Sequence, residues 1–142
     1  MAMRFDVITR IHAPLETVWS VISDVDLEQR FWKGTLSIKT ISREENVILR
    51  ESRLAFRNSF PRERVTMNPK SSIKVEYMEG PMLGEKIIEL QENSDTKVKV
   101  KWNVRMRGIA GIFGIFAKNH IRKGTIEALE RIKAECEASL KH

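Results

Sequence analysis

Residues Thr96–Arg107 read TKVKVKWNVRMR, the clearest alternating run in the chain. In an extended chain Val98, Val100, Trp102, Val104 and Met106 face one way, and Lys97, Lys99, Lys101, Asn103, Arg105 and Arg107 face the other. A period of two with one apolar and one charged face predicts a strand with a core on one side and water on the other. That is the mark of an antiparallel sheet.

Upstream of this run the same signal recurs. Strands are expected at Lys86–Gln91, after the turn EGPMLGE, and at Ile73–Tyr77, where Ile73, Val75 and Tyr77 alternate with Lys74 and Glu76. Arg62–Met67 is another, and Leu36–Ile41 and Val47–Phe56 flank the polar turn SREEN as a hairpin. Met3–Ile11 opens the series. Between it and the hairpin lies HAPLETVWSVISD, where Pro14 suits the first turn of a helix and Leu15, Val18, Trp19 and Ile22 recur at helical spacing. Asp24 is a candidate N-cap for a second short helix over Val25–Arg30.

Downstream, a long helix is expected from about Ile115 to Leu140. Ile121, Thr125, Ala128, Leu129, Ile132, Cys136 and Leu140 step by three or four and share a face. At ~1.5 Å per residue such a helix is roughly 35–40 Å long, enough to cross a small domain. The fold class is therefore α+β: a curved antiparallel sheet of about seven strands, in the order β-α-α-β6-α, closed by the C-terminal helix. It is the only large cover available for the sheet's apolar face. A bent sheet over that helix leaves a space between them.

A chain of 142 residues with 42% hydrophobic and 31% charged residues suits one ordered domain, 1–142, rather than a disordered tail. No apolar run approaches the roughly 18–20 residues needed to span a bilayer. No signal peptide is visible, and the single cysteine, Cys136, forms no intramolecular disulfide, so a cytoplasmic location is expected. The net charge of +6 admits an anionic membrane surface as a partner, but the cations are spread along the chain. The basic row on Thr96–Arg107 lacks interleaved accessible aromatics, which argues against nucleic acid. Oligomeric state is not readable.

The element order, with IHAPLETVWSVISDVD, EGPMLGE, TKVKVKWNVRMR and the C-terminal helix, resembles the START/Bet v 1-like (SRPBCC) superfamily. Within it the chain looks most like the polyketide cyclase/dehydrase and coenzyme Q-binding branch. Ala13–Asp24 fits the segment that ends the opening strand in that family, and Gly80–Pro81 is common in its hairpin. The resemblance implies a helix-grip fold with a deep hydrophobic cavity. It also implies a ligand drawn from lipids, sterols, quinones, plant hormones or polyketides, with a minority of members catalysing cyclisation or dehydration.

Between sheet and helix runs GIAGIFGIFAKN, Gly108–Asn119. The glycines lack the spacing and the Lys-Ser/Thr pair of a phosphate loop. The apolar side chains between them suit packing inward, a lid over a greasy site, or contact with a membrane or partner. Gly124, inside the helix, weakens it by roughly 1 kcal/mol against alanine, so a packing reason or space for a ligand is expected there.

The expected function is binding, and transport, of a small hydrophobic or amphipathic ligand: lipid, quinone or polyketide-like. The lining residues expected are Trp32, Phe56, Phe60, Tyr77, Met82, Leu83, Trp102, Phe113, Ala117, Ile121 and Gly124. The alternative is a polyketide cyclase or dehydratase using polar groups in the same cavity, which requires two such groups to converge. Glu51 with Arg53, and Arg62 with Arg64, share strand faces that read better as solvated outer faces, and His120 reads as structurally quiet. His12, His120 and His142 are scattered, so no metal site and no cofactor are implied.

Overall fold

In the computed structural model, which describes residues 2–55, 59–107 and 114–141, seven strands form one antiparallel sheet. They are β1 (Ala2–Ile11), β2 (Thr35–Glu44), β3 (Val47–Leu54), β4 (Arg62–Asn68), β5 (Ser72–Tyr77), β6 (Met82–Asn93) and β7 (Asp95–Met106). Helix α1 (Leu15–Ile22) and a 3₁₀ segment (Val25–Arg30) separate β1 from β2, and α2 (Gly114–Ala138) follows β7. The spatial order is β1-β7-β6-β5-β4-β3-β2. Strands β2 to β7 form a meander, and β1 returns to pair with β7.

The alternation of β7 is realised in full: Val98, Val100, Trp102, Val104 and Met106 are all buried. Opposite them on β1, Met3 and Phe5 are buried, with Phe5 paired to Trp102. From α2, Ala128, Leu129, Ile132 and Cys136 close the core, and Val18 and Ile22 of α1 cap one end. Polar contacts fix the helix across the sheet. The Trp102 indole N–H donates to Thr125 Oγ1 at 3.0 Å, Arg131 donates to the Phe31 carbonyl at 2.8 Å, and Lys133 donates to the Arg10 carbonyl at 3.0 Å.

Several boundaries differ from the sequence reading, among them the end of β3, which is Leu54 rather than Phe56. β6 begins at Met82 rather than Lys86, because Met82–Glu85 pair with Asn103–Met106 and extend the ladder beyond what local alternation shows. β2 continues to Glu44, and the hairpin turns at Glu45, whose φ of 52° supplies the reversal. Leu140 falls in a terminal 3₁₀ turn and is exposed rather than part of the buried helix face. The stretch Gly108–Phe113 and residue Phe56 lie outside the described residues.

The sheet's register also settles which sides of β3 and β4 face inward. Ile48, Arg50 and Ser52 are buried on β3, and Glu63 and Val65 on β4. Glu51, Arg53, Arg62 and Arg64 belong to the other face. Two charged groups, Arg50 and Glu63, thus enter the interior opposite one another.

Candidate functional site

A cavity of about 350 Å³ lies between the sheet and α2, lined by residues from three regions. Strands β5 to β7 supply Tyr77, Met82, Lys86 and Trp102. Helix α2 supplies His120, Ile121, Gly124, Thr125, Glu127 and Arg131. The approach to β2 and the end of β3 supply Trp32–Thr35, Leu54 and Ala55. The volume lies within the range of small-molecule sites. Gly34, His120 and Gly124 are exposed, so the cavity communicates with solvent on that side.

The inner wall is aromatic. The ring of Trp102 stacks on Tyr77 (6.0 Å, 7°) and on Phe5 (6.2 Å, 21°), and meets the edge of Trp32 at 6.4 Å. Such pairs contribute beyond their buried area and fix ring orientation. The Trp102–Thr125 hydrogen bond satisfies the indole, and the Thr125 hydroxyl in turn donates to the Ile121 carbonyl at 2.7 Å. A Cβ at Gly124 would meet nothing within 4 Å, so this glycine leaves free volume at the helix face lining the cavity.

Lys86 interrupts this wall. The cross-strand row Ile48–Val65–Val75–Lys86–Trp102–Phe5 contains one charge among apolar side chains. Its ammonium sits 3.6 Å from the Trp32 ring centre and 5.4 Å from that of Trp102, a cation–π arrangement on two sides. Burial lowers its pKa, while the negative charges of Glu28 and Glu63 work the other way.

Behind the wall is a buried charge cluster. Arg50 pairs with Glu28 and, at 2.9 Å, with Glu63, and donates to the Val25 carbonyl at 3.2 Å. The hydroxyl of Ser52 donates to Glu63 at 2.5 Å. Burial works against the Arg50 charge, but the two carboxylates outweigh it and hold its proton more tightly than usual. Tyr77 is paired with Glu63 across β4 and β5. Burial, then the Glu63 and Glu28 carboxylates, push the Tyr77 phenol well above its ordinary pKa, so it is a neutral hydrogen-bonding group at physiological pH.

Of the residues expected to line a site, Trp32, Tyr77, Met82, Trp102, Ile121 and Gly124 meet around this one cavity. Ala117 is buried in the core but lies outside the lining. Leu83 is half-buried and pairs with Arg105 on the opposite face of β6, one residue out of phase with Met82. Phe60 is 54% exposed, because it follows the end of β3 and packs its ring under the Arg53 guanidinium instead. Phe56 and Phe113 lie outside the described residues. His120 is exposed and lines the cavity on α2. Sequence reasoning missed Lys86, Arg50, Glu63 and Glu28; the available signal was parity, which Lys86 shares with Ile88 and Leu90, and Glu63 with Val65 and Met67.

On the outer face of the sheet, two cations of the basic row meet carboxylates: Lys99 with Asp6 at 3.6 Å and Lys101 with Glu89 at 3.1 Å. Among the described residues no three His, Cys, Asp or Glu side chains gather as a metal-ligand group. No helix among them is long and apolar enough to cross a membrane.

A seven-stranded antiparallel sheet curved around a long C-terminal helix is the helix-grip fold of Bet v 1-like proteins. The chain belongs to the polyketide cyclase/dehydrase and lipid transport family, whose model matches residues 11–130. No curated protein matches the sequence. Among solved structures, the Streptomyces aromatase/cyclase Zhui is similar with a TM-score of 0.82 and 13% identity, over 99% of this chain and 96% of that one. TTHA0849 of Thermus thermophilus matches with a TM-score of 0.80 and 14% identity, over 96% and 99%. The di-domain aromatase/cyclase BexL, from the BE-7585A biosynthetic pathway, matches with a TM-score of 0.79 and 16% identity, over 96% of this chain. The chain spans about half of BexL, 50% of its length. At these identities the likeness is one of fold.

Proposed function

We propose that this protein binds a small hydrophobic or amphipathic molecule in the cavity between sheet and α2, and carries it. The observation behind this reading is the cavity itself: about 350 Å³, walled by Trp32, Tyr77, Met82, Trp102 and Ile121, and open to solvent beside a glycine. An apolar hollow of this size is filled either by water that gains few hydrogen bonds or by a ligand that buries its own apolar surface. At roughly 25 cal/mol per Å² of apolar surface removed from water, a two-ring ligand gains several kcal/mol.

A second reading, cyclisation or dehydration of a polyketide-like substrate, is favoured by one feature. Lys86 and Tyr77 stand on neighbouring strands and line the same cavity, two polar groups where such chemistry requires convergence. Native mass spectrometry of protein purified from its own host tests the first reading. A co-purifying small molecule of constant mass, released on denaturation, is the expected result. Protein that is always empty and takes up no hydrophobic probe contradicts it. A bound species that changes mass over time on the protein, and ceases to do so in Lys86→Met, moves the balance to catalysis.

A further inference from the structure

The cavity wall has a feature that a purely apolar occupant does not explain. Lys86 is only 4% exposed, yet among the described residues its ammonium makes no hydrogen bond and no ion pair. Two sides are covered by the faces of Trp32 and Trp102. An ammonium carries three N–H donors, and aromatic faces replace hydration only in part. A buried cation without an oxygen acceptor is costly.

The nearest candidates within the protein are already committed. Glu63 accepts from both Arg50 and Ser52, and Glu28 accepts from Arg50. None of Arg50, Glu28 and Glu63 lines the cavity. Acceptors for the Lys86 ammonium, water or a ligand oxygen that displaces it, therefore come from the cavity that it lines.

The rest of the lining points to the sign of its charge. Besides Lys86, the charged side chains around the cavity are Lys33, Arg131 and Glu127. Three cations face one carboxylate, and that carboxylate is 3.6 Å from Arg131 on the next helical turn. With the buried Arg50, Glu28 and Glu63 behind the wall counted, which together add one negative charge, the surroundings still carry one net positive charge, so an anion entering this space is favoured over a cation.

We propose that the cavity selects an aromatic or conjugated acid, whose carboxylate or acidic enol or phenol oxygen docks on the Lys86 ammonium while its ring packs against Trp32 and Trp102. Tyr77, on the neighbouring strand and neutral at physiological pH, offers a second donor to the same end of the ligand. This inference rests on the binding function above and names the chemical class of the ligand. The through-space action of Glu28 and Glu63, which opposes the effect of burial, helps to keep Lys86 charged for the purpose.

The test is calorimetric titration of the full chain near neutral pH with three probes of one shape: 2-naphthoate, the neutral 2-naphthylmethanol and the cationic 2-naphthylmethylamine. Naphthoate is expected to bind about tenfold or more tightly than the alcohol, the range of a charge-assisted hydrogen bond, and the amine more weakly than either. Lys86→Met is expected to abolish the preference for naphthoate while leaving the alcohol within about threefold of wild type. Equal affinities for naphthoate and alcohol in the wild type, or a preference that survives Lys86→Met, overturn the proposal while leaving the binding function intact. Failure of all three probes to bind overturns both. If Lys86→Met does not fold, crystals of the wild type soaked in naphthoate decide. A carboxylate within hydrogen-bond distance of Lys86 Nζ supports the assignment, and one placed elsewhere overturns it.

Discussion

Arg50 shows how much depends on a single side chain. It is 2% exposed and joins the 3₁₀ segment, β3 and β4 through Glu28, Val25 and Glu63. Replacing one member of a buried ion pair strands its partners in low dielectric. Arg50→Met should therefore destabilise the fold by about 3–5 kcal/mol, read as a lower urea midpoint at an unchanged slope. The double change Arg50→Met with Glu63→Gln should recover part of that loss, since one stranded charge is removed; a double variant less stable than the single one contradicts this account. Gly84 is a second fixed point. Its φ is 129°, and a Cβ there would run into the Asn103 carbonyl oxygen, leaving no room for any side chain. Gly84→Ala is expected to lower stability by more than about 2 kcal/mol, on the order of a strained backbone combined with a backbone clash.

At the scale of elements, α2 forms one wall of the cavity. Gly124 interrupts good helix formers, and a Cβ there meets open space. Gly124→Ala is expected to stabilise the protein by up to about 1 kcal/mol, visible as a rise in Tm, with ligand uptake retained. Gly124→Phe should keep the fold and abolish uptake by filling the hollow; unimpaired uptake would mean the ligand lies elsewhere.

Further along α2, Cys136 is fully buried, and burial, then the charges of Glu135 and Glu137, push its thiol from 9.0 up to about 11. The folded chain then keeps a proton that the unfolded chain releases. The stabilisation is complete below pH 9.0 and is lost as pH rises toward 11. Wild type compared with Cys136→Ala should show its stability advantage shrinking by on the order of 2 kcal/mol across that window. An advantage that stays flat from pH 9.0 to 11 contradicts the shift. The helix was legible in the sequence because its buried positions keep one period. Its C-terminal end was not, because Leu140 fits that period yet lies past the last residue with a surface to cover.

For the whole molecule, the architecture was readable because two one-sided patterns frame it: strict alternation on β7 and the three-four step on α2. Their juxtaposition across β1 then allows few arrangements. Large aromatic rings were legible as wall positions for the same reason, since Trp102 and Tyr77 stand on unambiguous strand faces. Arg50 and Lys86 were not, and Glu63 only through the parity it shares with Val65 and Met67 on β4. On β3 apolar side chains occur at both parities, with Ile48 inward and Leu49 outward. On β6 Ile87 and Ile88 adjoin, so only pairing with neighbouring strands decides the face. Register is a long-range property, and a one-residue slip would have put all three charges in water. Phe60 stands off the wall for a different reason: it lies in the connection between β3 and β4, where no strand face fixes its side chain.

A ¹H–¹⁵N spectrum of the indole N–H groups during addition of 2-methylnaphthalene probes the hollow directly. Three signals are available, from Trp19, Trp32 and Trp102. Trp32 and Trp102 line the cavity, whereas Trp19 lies on α1 outside it. Saturable shifts of the Trp32 and Trp102 signals with Trp19 unmoved are the predicted result. A spectrum that does not change, or one in which only Trp19 responds, would contradict a binding site between the sheet and its terminal helix.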